Sequence, residues 1–133
     1  MDAILLPGNS IKNKSQLESL DKEIKSLFNR TFLLYYHHWD NPEISLDIGK
    51  EVTTLFEIAK STQDFAVIAK SIGSFITLKA ISLGLKPKYC VFLGFPIIAL
   101  RESGLEVEAK TLIKSNKVPL LFLHNEHDPY GSS

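Results

Sequence analysis

The chain has one cysteine, Cys90, so no disulfide can form within it. A fold held by cross-links is thereby excluded, and Cys90, inside the apolar run Tyr89-Cys90-Val91-Phe92-Leu93, is expected as a small buried thiol. An excess of either charge is also lacking. Fifteen basic side chains balance fifteen acidic ones, which leaves no electrostatic footprint for nucleic acid or an acidic membrane. No apolar run approaches the length that spans a bilayer. No basic segment followed by an apolar one reads as a signal peptide, so the expected location is cytoplasmic. Repeats, low-complexity tracts and linkers are absent as well. With 133 residues, 44% of them apolar, the chain reads as a single domain over 1–133, large enough to bury a core.

What is present is a regular alternation of elements. Five short apolar runs, 3–6, 31–36, 65–69, 89–93 and 119–124, lack polar alternation and are bounded by Gly, Pro, Asn or Asp. They read as strands buried on both faces. Between them lie four helical patterns, over about 15–28, 52–59, 71–83 and 105–113, with apolar residues at helical spacing. Strand-helix alternation requires right-handed crossovers and a mainly parallel sheet covered on both faces. The expected fold is a three-layer α/β/α sandwich with five strands in the order 2-1-3-4-5, whose functional loops follow the carboxyl ends of the strands.

The third of those loops carries the strongest chemical signal. Val67-Ile68-Ala69-Lys70-Ser71-Ile72-Gly73-Ser74 is an apolar strand, a sharp turn through Ser71, and a helix. A nucleophile elbow needs small residues two before and two after its serine, because the turn runs close to neighbouring backbone. Ala69 and Gly73 meet that need, with Ala69 standing where the G-x-S-x-G pattern has glycine. At such an elbow the N–H of Ile72, at the positive end of the helix, faces an oxyanion forming over Ser71. The plainer alternative is a serine that caps the helix.

Two further loops bear on the same chemistry. Leu6-Pro7-Gly8-Asn9-Ser10 follows the first strand, and the N–H of Asn9 is the candidate second oxyanion donor if strands 1 and 3 are neighbours. A simple strand-to-helix connection is its alternative. His124-Asn125-Glu126-His127-Asp128-Pro129 follows the fifth strand, and a carboxylate at Asp128 suits the orientation of an imidazole. An Asp-Pro turn is the alternative there.

The elbow, the Pro-Gly-Asn loop and the terminal Asp-Pro together resemble the α/β-hydrolase superfamily, in particular its compact members without a lid. The resemblance implies an α/β-hydrolase core, with Ser71 as nucleophile, Asp128 as triad acid, and Ile72 and Asn9 as oxyanion donors. It implies hydrolysis of esters, thioesters or amides of a small-molecule substrate, with no cofactor and no metal. The family's histidine follows the acid by a further helix and strand, which places it beyond Ser133. The expectation is therefore a chain truncated at its C-terminus, leaving an exposed apolar sheet edge. His37, His38, His124 and His127 are expected as structural or rim residues. Between strand 4 and the next helix only 94–102 is available, too short for a lid domain, so the site is expected open, rimmed by Phe95, Pro96, Ile97 and Ile98 and faced by the aromatic loop 35–40.

Other classes are available. Without its base the chain would be a hydrolase-like domain that binds a small molecule or a protein partner without catalysis. The run Gly8-Asn9-Ser10-Ile11-Lys12-Asn13-Lys14-Ser15 nearly spells a phosphate-binding loop, with Asn13 in place of its second glycine. A nucleotide-binding domain using Lys14 follows from that spelling. The histidine pairs lack the spacing and third ligand of a zinc site.

Overall fold

The computed structural model describes residues 1–123. Its order of elements is β1 (Asp2–Leu6), α1 (Asn13–Ile24), β2 (Thr31–Leu33), α2 (Ile48–Ala59), β3 (Phe65–Lys70), α3 (Ile72–Ser82), β4 (Cys90–Leu93), α4 (Ile97–Glu102), α5 (Glu106–Ser115) and β5 (Leu120–Leu123). All five strands are parallel, in the order β2-β1-β3-β4-β5. The α/β class and the strand order are those read from the sequence. No described helix is long and apolar enough to cross a membrane.

Strand order places β1 and β3 side by side at the centre, where the chain reverses direction across the sheet. Their registers, Leu5 opposite Ile68 and Leu6 opposite Ala69, bring the loops after Leu6 and Lys70 together at one edge. Successive side chains alternate between faces, and each face has its own cluster. Ile4, Leu6, Val67, Ala69 and Phe92 join residues of α2, α3 and α5. Ala3, Leu5 and Ile68 pack with Leu17, Leu20 and Ile24 of α1. At β5, the edge strand among the described residues, Leu121 and Leu123 are 54% and 47% exposed.

Several boundaries differ from the sequence reading for physical reasons. β2 ends at Leu33 rather than Tyr36. Leu34 still donates to the carbonyl of Leu5 at 3.0 Å, but β1 stops at Leu6, and Pro7 has no N–H to extend the ladder. The chain then enters a 3-10 turn over His37–Asp40. α1 is shorter than expected and closes in a 3-10 turn, Lys25–Leu27. The segment after β4, read as a plain connection, folds into α4. α3 ends at Ser82, one residue short of the range read from the sequence, and the chain leaves it through Gly84, whose φ of 114° suits glycine, with Leu85 donating back to Ala80 at 3.0 Å.

Candidate active site

β3 delivers its chain into α3 through one residue, Ser71, with φ 52° and ψ −123°. It is the only non-glycine residue with positive φ among those described, a conformation that costs on the order of 1–3 kcal/mol and persists only where the surroundings impose it. Here they do. The Ser71 N–H donates to the carbonyl of Leu93 in β4 at 3.0 Å, and its own carbonyl accepts from Ser74 N–H at 2.9 Å. Before it lie five buried residues of β3, and after it the buried run Gly73 to Leu78. The helix-capping alternative is not what is found: Ser71 stands at the N-cap position, but its hydroxyl makes no cap bond, and the residue lines a cleft.

Close packing beside the turn depends on Gly73. A β-carbon there would fall 2.9 Å from Leu6 Cβ and 3.0 Å from the Pro7 carbonyl oxygen. Ala69, two residues before the serine, is fully buried. Ile72 is the first residue of α3, so its N–H has no acceptor within the helix.

The loop after β1 is fixed through its carbonyl groups. The Tyr36 hydroxyl donates to the Pro7 carbonyl at 2.5 Å, and burial, then the nearby Glu51 carboxylate, raise the Tyr36 pKa so that this proton stays in place. The Asn9 carbonyl accepts from Trp39 Nε1 at 2.8 Å and from His38 Nε2 at 3.0 Å. A carbonyl acceptor assigns the proton of His38 to Nε2. Its Nδ1 is enclosed without a partner among the described residues. The rings of Tyr36, His38 and Trp39 pack on one another, with Tyr36 stacked on His38 at 5.8 Å and edge-on to Trp39 at 5.3 Å.

A buried carboxylate holds this aromatic turn. Glu51 of α2 is 1% exposed. It accepts from the His37 N–H at 2.9 Å and lies 2.8 Å from His37 Nδ1. Sequence reading missed it because Glu51 sits in an amphipathic helix like any surface acid; only the contact with His37, fourteen residues earlier, marks it.

Ser71, Ile72, Asn9 and His38 all line one open cleft of about 1360 Å³. Three of the four proposed site residues therefore share a cavity, and the fourth, Asp128, lies outside the described residues, as do His124 and His127. The expected rim is partly corrected. Pro96 lines the cleft, but Phe95 turns inward against Phe92 and Phe122, Ile97 packs on the core and Ile98 is exposed. α4 causes this, since its turn carries Ala99 and Leu100 to the cleft instead. Of the aromatic loop 35–40 expected to face this rim, only His38 and Trp39 line the cleft, together with Ile44, Leu46 and Ile48, which sequence reading left unassigned.

The phosphate-loop spelling folds differently from its promise. The Asn13 amide packs against Gly8, where a β-carbon would meet its Oδ1 at 2.9 Å, and its Nδ2 donates to the Ser10 carbonyl at 3.0 Å. Lys14 is turned onto the Tyr35 ring, 5.3 Å from its centroid, and is not among the residues lining the cleft. Compared with known proteins, the chain matches no family model, no curated protein and no solved structure.

Proposed function

We propose that the chain is a serine hydrolase with an α/β-hydrolase core, acting on small esters, thioesters or amides through Ser71. The observation that carries this reading is the strained backbone of Ser71, φ 52°, at a strand-turn-helix junction that lines the cleft. Strain of this kind, enforced by two backbone hydrogen bonds and by Gly73, supports an elbow that lifts a nucleophile clear of the sheet.

In the reaction proposed, Ser71 Oγ bonds to the substrate carbonyl carbon while its proton passes to a base. The carbonyl π electrons move to oxygen, beside the N–H groups of Ile72 and Asn9. Collapse of this intermediate expels an alcohol, thiol or amine, which takes up the proton. Water then repeats the sequence on the acyl-serine and releases the acid. Asp128 is retained as triad acid. Neither described histidine is assigned as base: His37 is held by Glu51, and both nitrogens of His38 are bonded or enclosed.

One observation favours a second reading, a binding domain without catalysis: Ser71 Oγ has no hydrogen-bond partner among the described residues. A fluorophosphonate probe separates the two. The hydrolase reading expects an adduct on Ser71, located by peptide mass spectrometry and absent from Ser71→Ala. A wild-type chain that is folded by circular dichroism yet takes no label assigns the cleft to binding.

A further inference from the structure

The residue before the proposed nucleophile carries a charge that no acidic side chain among the described residues pairs with. Lys70 ends β3, is half-buried, and lines the same cleft as Ser71. Its ammonium donates to Asn13 Oδ1 at 3.1 Å and to Gln16 Oε1. Both acceptors are neutral amide oxygens. The ion pairs among the described residues involve other cations, including Arg30 with Asp2 and Lys79 with Glu108, and none involves Lys70.

The composition of the cleft makes this charge a candidate for recognition. Among the described lining residues Lys70 is the one formally charged side chain, and no Asp or Glu accompanies it. The described lining is largely aliphatic, including Ile44, Leu46, Ile48, Leu100 and Leu105. Neither α1 nor α3, whose first residues line the cleft, has an acidic residue in its first turn, and the positive ends of both helices share the sign of the Lys70 charge. A charge in such a setting attracts an anion that enters, the more so at low ionic strength.

Donor arithmetic narrows the anion. An ammonium has three N–H donors, and two of them are committed to Asn13 and Gln16. One remains, which suits a single oxygen of a carboxylate better than the several oxygens of a phosphate dianion. We infer that Lys70 is a specificity-determining residue that selects substrates bearing one carboxylate beside an apolar arm. The inference deepens the serine-hydrolase reading and rests on it for the reaction, though not for the binding preference itself.

Two measurements on the full chain test it. The first compares kcat/KM for the mono-4-nitrophenyl ester of glutaric acid with that for 4-nitrophenyl pentanoate, a neutral ester of similar length. Wild type is expected to favour the anionic ester by at least about tenfold, the scale of one charge-assisted hydrogen bond. Lys70→Gln loses that ratio and Lys70→Arg keeps it, an outcome that mere support of the loop would not produce. The second needs no turnover: NMR titration with hexanoate and with hexanamide. Wild type is expected to bind the carboxylate at least about tenfold more tightly, with the difference falling in high salt and vanishing in Lys70→Gln. Equal binding of acid and amide by wild type, or a preference that survives in Lys70→Gln, overturns the inference. Carboxylate preference without ester hydrolysis upholds Lys70 and removes the hydrolase reading.

Discussion

Gly73 and Leu6 approach so closely that a β-carbon on Gly73 would stand 2.9 Å from the Leu6 β-carbon, with the Pro7 carbonyl oxygen at 3.0 Å. The first turn of α3 is thus seated against the end of β1, and this contact joins the two loops that meet beside Ser71. Neither obstacle can swing aside, because one is fixed directly to the main chain and the other belongs to it.

Gly73→Ala is therefore expected to destabilise the fold by about 1–3 kcal/mol, as overpacking does in a well-filled core. Glycine gives way to a better helix former at this substitution, so helix propensity alone predicts a gain. A lowered urea midpoint at unchanged slope identifies the steric term as the larger. A raised midpoint would mean that β1 and α3 are less tightly seated than the distance implies.

The Tyr36 hydroxyl gives a second test on the other side of the same loop. It is buried and donates to the Pro7 carbonyl at 2.5 Å, so Tyr36→Phe strands an acceptor away from water at a cost of about 1–3 kcal/mol. Tyr35→Phe is the control. Tyr35 is 43% exposed and its hydroxyl meets only Glu18 at 3.1 Å, so removing that hydroxyl should change stability by about 0.5 kcal/mol or less. Equal losses in the two variants, measured by chemical denaturation, would count against the buried bond as the anchor of the loop.

These neighbours show where sequence reading succeeds and where it stops. Apolar runs and helical spacing announced the strands, the four longer helices and the parallel sheet, because burial on two faces leaves a pattern in one dimension. The turn at Ser71 was legible for a related reason: Ala69 and Gly73 mark a crowded junction locally. The brace behind the Asn9 loop was not. Tyr36, His38 and Glu51 act through contacts between distant segments, and nothing in the spelling of α2 separates Glu51 from a solvated acid. α4 was missed because six residues are too few to establish a helical period. Asp128 stays a sequence-derived expectation, since the described residues end at Leu123.

Cys90 links burial to pH. It is fully enclosed in β4, and burial pushes its thiol up to about 12, opposed in part by a hydrogen bond from the Val67 backbone. An unfolded chain ionises this thiol near 9.0, while the folded one keeps its proton to higher pH. The contribution to stability is therefore intact below about 9 and is lost as pH rises from there toward about 12. At pH 8 the native protein should resist alkylation by iodoacetamide, and added urea should release the reaction in step with global unfolding. Rapid modification of the native chain would show that β4 opens independently of the rest.

Glu51 permits the most direct test of how the cleft is held, because Trp39 is the sole tryptophan of the chain and its indole N–H is bonded to Asn9 at the cleft wall. Glu51→Ala removes the acceptor of the His37 backbone N–H and the partner of its ring, freeing the 3-10 turn that carries His38 and Trp39. The expected cost is about 1–3 kcal/mol, with a red shift of tryptophan emission as the indole becomes wetter. Glu51→Gln retains a carbonyl oxygen for the His37 N–H and should restore most of the wild-type spectrum. If Ser71 takes the fluorophosphonate label, Glu51→Ala should slow labelling by roughly tenfold or more, through loss of the Asn9 donor rather than of the nucleophile. Emission and labelling rate should recover together in Glu51→Gln. A red shift with no change in labelling rate would separate the aromatic brace from the proposed role of the Asn9 loop and assign Glu51 to stability alone.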